Sequence, residues 1–204
     1  MPVLGRSKKE VLTEFRMAEL LEAARKVFAE KGFHEATVDE IADAAGVAKG
    51  TVYLYYRSKR AVYWAALERG VAALNDEVQA RLAMEDTIEN KIRAFIAIKI
   101  CYFEKNRDFL KIYISEFGSA LAHPAQIRKR FENLYLRQAR VLEVVLREGV
   151  KHKVIRNIRA DTAALAISDL TRGIITQRLL GWSKGDVKSD INFIFDLVWR
   201  GIAA

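Results

Sequence analysis

Met17, Leu20, Leu21, Ala24, Val27 and Phe28 recur at intervals of 3, 1, 3, 3 and 1, which lines one face of a 3.6-residue-period helix. Lys31-Gly32-Phe33 predicts its end: a basic residue suits the last turn, Gly takes the left-handed position, and the next hydrophobe folds back. Thr37-Val38-Asp39-Glu40 reads as a capping box that starts a second helix, limited to about Ala45 by Gly46 and Val47. A third helix follows from about Ala48 to Tyr55. Ser58 then caps a long fourth one, whose apolar face is Val62, Ala66, Gly70, Val71, Leu74, Val78 and Leu82 and whose end falls near residue 83.

Apolar periodicity predicts further helices over 87–105, 107–121 and 125–152, with breaks at Asn106 and at His123-Pro124. Asp161 is expected to cap a helix running to Leu180 and closed by Gly181. A last helix runs from Val187 to Arg200 and is closed by Gly201. With 11 Gly and 2 Pro in 204 residues, the chain lacks the punctuation that an all-β architecture needs at every turn. An apolar fraction of 51% is ample for a packed core, so the expected class is all-α.

The net charge of +8 does not by itself point to a partner. Residues 1–70 hold 12 Lys and Arg against 10 Asp and Glu, a net +2, and the remainder carries 22 against 16. The local pattern is more informative: from Ala44 to Leu67 there is no acidic residue, while Lys49, Arg57, Lys59 and Arg60 all fall there. Arg6, Lys8 and Lys9 read either as an arm that grips phosphate or as a plain basic terminus.

Cys101 is the one cysteine, which excludes an internal disulfide and a multi-thiolate metal site. The apolar run Phe95–Phe103 is interrupted by Lys99 and is far short of the roughly 20 residues that cross a bilayer. No secretory h-region precedes residue 30, so a cytoplasmic location with no membrane partner is expected. His34, His123 and His152 show no metal-ligand spacing, and neither a phosphate-binding Gly loop nor a nucleophile elbow occurs. No catalytic residue, metal or cofactor is therefore expected, and the chain does not read as an enzyme.

Two short helices joined at Gly46-Val47 form a helix-turn-helix, whose second helix can enter a DNA major groove. Gly50 permits close backbone approach, Lys49 supplies charge, and Thr51, Tyr53 and Tyr55 supply hydroxyls for phosphates and base edges. Tyr53 and Tyr55 lie two apart, so they cannot both face inward, whereas Tyr56 reads as core.

The string Phe28-Ala29-Glu30-Lys31-Gly32-Phe33, then Ala36–Ala42, then Ala45–Lys59 resembles the N-terminal signature of the tetracycline-repressor (TetR) family of bacterial transcription regulators. The resemblance covers about residues 17–67. It implies an all-α homodimer, with a three-helix DNA-binding domain over 1–60 and a ligand-binding and dimerisation domain of about six helices over 61–204. It also implies that Thr37 caps the second helix and faces a phosphate. Lys49, Gly50, Thr51 and Tyr53 would then lie on the recognition helix, Tyr55 would stand where the family often has a phosphate-contacting His, and Lys59 would reach the DNA backbone. Ala48 departs from a common Ser, which weakens that cap, and Tyr55-Tyr56 replaces a frequent His-Phe pair.

A single helix-turn-helix reads few base pairs, so two copies on half-sites about 34–36 Å apart, or a multiple of that, are expected. Ala163, Ala164, Ala166, Ile167, Leu170, Gly173, Ile174 and Leu180 on one helix, with Ile191, Ile194, Phe195, Val198 and Trp199 on the next, suit either a dimer interface or an internal core. The family resemblance favours the dimer, centred on Leu170, Gly173, Ile174, Ile194 and Val198. Phe95, Tyr102, Phe109, Tyr113, Phe117, Tyr135 and Trp182 are candidates to line an apolar ligand pocket, with plain core as the alternative. Lys99 in their midst is either an anchor for an acidic ligand or a snorkelled or Glu-paired lysine.

The expected function is a ligand-responsive repressor, released from a palindromic double-stranded DNA operator by a small hydrophobic effector. A helical carrier or enzyme that keeps the fold without operator binding is the alternative.

Overall fold

Helices form wherever a capping residue meets an apolar period, and the computed structural model describes them over residues 7–119 and 125–204. Among the described residues nine helices occur: α1 Lys8–Glu35, α2 Val38–Ala44, α3 Lys49–Tyr55, α4 Lys59–Leu82, α5 Ile88–Lys105, α6 Arg107–Ser119, α7 Ala125–Lys151, α8 Ala160–Leu179 and α9 Val187–Ile202. Their only β pairing there is an isolated bridge between Ile155 and Ala203. The expected break at His123-Pro124 lies outside the described residues, as do Arg6 and the side chains of Lys8 and Lys9.

The chain divides into two compact units. The first comprises residues up to Gly70 together with Asp108–Tyr113, and the second comprises Val71–Arg107 with Ile114–Ala204. The division falls inside α4, which contributes residues to both.

In the first unit, Leu20, Leu21, Ala24 and Phe28 of α1 are buried with Ile41 and Ala42 of α2, Val52 of α3, and Val62, Tyr63 and Leu67 of α4. Gly32 has φ +75°, which interrupts α1 and lets Phe33 turn back onto Tyr63, ring centroids 5.1 Å apart. The chain regains one more helical turn beyond Gly32, to Glu35. Gly70 lies flat against the ring of Phe109, where an added Cβ would overlap the ring.

In the second unit, α5 is enclosed by α7, α8 and α9, in keeping with its apolar circumference. Phe95, Ile96, Ile100 and Phe103 are buried there with Leu142 and Leu146 of α7, Ala164 and Ile167 of α8, and Ile194, Phe195 and Val198 of α9. Two helix ends differ from expectation. The N-cap of α8 is Arg159 without a side-chain bond, so Asp161 sits in the first turn, where its charge still favours the positive helix end. Gly201 lies inside α9, because the helix continues to Ile202 and only Ala203 leaves it to pair with Ile155.

Candidate nucleic-acid interface and interior polar cluster

Thr37 caps α2 by a reciprocal pair of bonds. Its hydroxyl oxygen accepts from the Glu40 amide at 3.2 Å, and its own amide donates to the Glu40 carboxylate at 3.0 Å. Lys31 donates to the same carboxylate at 2.7 Å, and this bond, ahead of the Thr37 amide, holds Glu40 below the ordinary carboxylate range.

The turn is closed by Gly46 at φ +66°, with the Val47 amide donating to the Ala42 carbonyl at 3.0 Å and the Gly46 amide to Asp43 at 3.1 Å. No side chain caps α3 at Ala48, as expected from that departure.

Val52 is the one residue within α3 that is buried. Around it Lys49, Gly50 and Tyr53 are exposed, Tyr53 by 46%, and Thr51 and Tyr55 are half-buried. Tyr56, just after the helix, is buried and desolvation pushes its phenol up. Lys49 donates to Asp39 across the turn at 2.7 Å, and this bond raises its ammonium above the ordinary lysine value. Lys59 turns inward: its ammonium donates to the carbonyls of His34 at 2.9 Å and Ala36 at 2.8 Å, and lies 4.8 Å from the Phe33 ring centre. Two of its three donors thus fix the loop that carries Thr37, and one remains. Arg57 and Arg60 are exposed.

The expected pocket residues fall in different places. Phe109 and Tyr113 pack in the first unit. Phe95, Lys99, Tyr102, Phe117 and Tyr135 belong to the second, and Trp182 is 71% exposed on the loop after α8. Lys99 is 3% exposed, and burial brings its ammonium down to about 8, against the opposing pull of Asp169. Arg172 donates to Asp169 at 3.0 Å and stacks 3.7 Å over the Phe117 ring, while the Tyr135 hydroxyl donates to the same Asp169 oxygen.

On the expected dimer face, Leu170 is exposed and Gly173 and Ile174 are partly so, whereas Ile194 and Val198 are buried within their own chain. The large apolar residues that α9 leaves in the open are Phe193 and Leu197, and with Leu170, Gly173 and Ile174 they line an apolar groove.

Residues 20–66 match the model for bacterial regulatory proteins of the tetR family. That segment, which holds the helix-turn-helix, is a tetR-family domain. Over 175 residues it is 25% identical to the HTH-type transcriptional regulator YvdT of Bacillus subtilis, covering 85% of this chain and 88% of that one. The crystal structure of the regulator FadR from Bacillus subtilis in complex with stearoyl-CoA has the same fold, with TM-score 0.80 and 21% identity over 91% of this chain and 98% of that one. A regulator from Saccharomonospora viridis in complex with choline likewise superposes at TM-score 0.81, with 23% identity and 94% and 99% coverage.

With that domain and transcriptional regulators among its relatives, the chain is a DNA-binding regulator of transcription. Its recognition helix carries one exposed residue that the sequence reading passed over. Leu54 is 81% exposed beside Tyr53, and an apolar side chain there can meet a thymine methyl. The signal was available, since Leu54 lies two positions past the buried Val52. Among the described residues no group of three or more His, Cys, Asp or Glu is placed to hold a metal ion, and no helix is long and apolar enough to cross a membrane.

Proposed function

We propose that this protein is a cytoplasmic repressor that binds a roughly palindromic operator as a homodimer and is released by a small hydrophobic effector. The observation that carries the reading is α3 itself: it is held by Val52 and turns Lys49, Gly50, Tyr53 and Leu54 to solvent, in a stretch free of acidic residues. Thr37, Thr51, Tyr55 and the remaining donor of Lys59 flank that face and reach phosphates. Residues 1–60 serve DNA, and residues 61–204 serve effector and dimer.

The groove lined by Leu170, Gly173, Ile174, Phe193 and Leu197 supplies the two-fold contact, with Ile194 and Val198 supporting it from beneath. Stearoyl-CoA and choline in proteins of the same fold support an effector site in the helical second unit. Effector binding there shifts α4 and alters the separation of the two recognition helices. Turning a 99:1 population of the DNA-binding state into 1:99 needs about 5.5 kcal/mol of differential affinity.

Binding to fragments of the protein's own upstream region, titrated against salt, tests this. Each phosphate contact contributes about 0.9 to the slope of log K against log salt. A carrier or enzyme that retained only the fold would show no such slope, and a monomer indifferent to every fragment at low ionic strength refutes the reading.

A further inference from the structure

Three polar groups on α7 and α8 are buried without hydrogen-bond partners, and a buried lysine lies on α5. Gln138 on α7 is 3% exposed, and neither its amide nitrogen nor its amide oxygen has a hydrogen bond. Ser168 on α8 is 1% exposed with an unbonded hydroxyl, and the Nε of Arg172, one turn later, is also unsatisfied. Lys99 on α5 is buried, with its ammonium 5.1 Å from the centre of the Phe95 ring. Leaving such groups unpaired is costly, and native structures rarely do so without a purpose.

These groups converge, because α5, α7 and α8 pack on one another. Gln138 lies one turn beyond Tyr135, whose hydroxyl holds Asp169; Ser168 is the neighbour of Asp169; and Asp169 and Arg172 are the charges that act on Lys99. Glu116, buried on α6, is not among those charges. The local balance is two cations against one anion, and Asp169 is already engaged by both Arg172 and Tyr135. One buried positive charge is therefore left over. The ring of Phe95 lies by the Lys99 ammonium, and that of Phe117 by the Arg172 guanidinium.

We infer that Lys99, Gln138, Ser168 and Arg172 form the seat of the effector's head group, and that this head group is the carboxylate of an apolar acid. The inference rests on the ligand-responsive reading given above and adds the chemistry that the ligand must bring. A single negative charge cancels the surplus. Three unpaired donors, Gln138 Nε2, Ser168 Oγ and Arg172 Nε, together with the buried Lys99 ammonium, match the roughly four lone-pair sites of a carboxylate. A neutral ester or alcohol satisfies fewer donors and leaves the charge uncompensated. The ring-lined surroundings select an apolar tail.

The test is calorimetric titration of the full-length protein with straight-chain acids from hexanoate to dodecanoate, each paired with its methyl ester, alongside operator release by the same compounds. The best acid is expected to bind at least about tenfold tighter than its ester. Lys99→Met, checked for its fold by circular dichroism, is expected to abolish that preference while leaving ester binding unchanged. Gln138→Leu removes a neutral donor and reduces the preference without a change of charge.

Equal binding of acid and ester, or a preference that survives in Lys99→Met, overturns the assignment. Release of DNA by esters alone also overturns it but leaves effector control intact. If no acid binds while the operator is still bound, the carboxylate seat is refuted and the DNA-binding reading stands.

Discussion

Lys49 and Asp39 meet at 2.7 Å across the turn that joins α2 to α3, each side chain half or more exposed to solvent. The lysine best placed to meet a phosphate is thus held by a carboxylate that DNA would repel. Asp39→Asn frees it and removes a like charge from the approaching backbone. Operator affinity is expected to rise at low salt, and the slope of log K against log salt to steepen by about 0.9, one added contact. Fluorescence anisotropy at four salt concentrations measures both. An unchanged slope would show that Lys49 makes no phosphate contact.

Gly70 and Phe109 are in direct apposition within the first unit. Gly70→Ala places a methyl group inside the volume of the ring, and overpacking of this kind costs about 1–3 kcal/mol. Urea denaturation should report that loss. In a double-mutant cycle, Phe109→Leu should recover part of it, since the shorter side chain vacates the space. Additive effects of the two changes would contradict the contact.

Leu197 stands 52% exposed on α9, beside Leu170 on α8. Leu197→Asp alters little within one chain, so stability of the isolated protomer should stay within about 0.5 kcal/mol. Across a two-fold axis it sets two carboxylates in an apolar contact. Light scattering is expected to show a monomer, and operator affinity to collapse with the loss of the second half-site. A dimer that persists would move the interface elsewhere.

Burial sets the pH response of the second unit. The Lys99 ammonium titrates near 8 in the folded chain and near the ordinary lysine value of 10.5 when unfolded. Below pH 8 it is charged in both states and its full burial penalty is felt. Between 8 and 10.5 the folded chain releases the proton first, so stability climbs with pH, at up to about 1.4 kcal/mol per unit.

The charged neighbours facing it are Asp169 and Arg172 on α8. Tyr135 on α7 has its phenol pushed upward, so its contribution is lost only above pH 10. Denaturation at pH 7.5, 8.5 and 9.5 should show the rise in the natural protein. Lys99→Met should be flat over the same range and more stable at pH 7.5. Stability that falls with pH would be incompatible with a buried, charged Lys99.

The helices were legible where local chemistry alone sets them. Thr37, Gly46 and Gly181 carry their instructions in side-chain oxygens or in freedom at positive φ, and the structure has Thr37 as a cap and both glycines in the left-handed region. The end of α8 near Arg159 was misread because an Asp in a first turn and an Asp at a cap look alike in sequence. The exposed face of α3 was legible from an acid-free stretch with hydroxyl-bearing residues.

The inward turn of Lys59 was not legible, because its partners are the carbonyls of His34 and Ala36, which no sequence pattern marks. Periodicity located an apolar face on α9 but could not say whether Ile194 and Val198 met the chain's own core or a second copy. The answer depends on helices distant in sequence.

Val52 is the one residue within α3 that its own domain encloses. If the exposed positions meet DNA as proposed, Tyr53 and Leu54 can be exchanged with little cost to the protein. A lineage, or a designer, can retarget such a reader to new binding sites and keep the same chassis and the same chemical trigger.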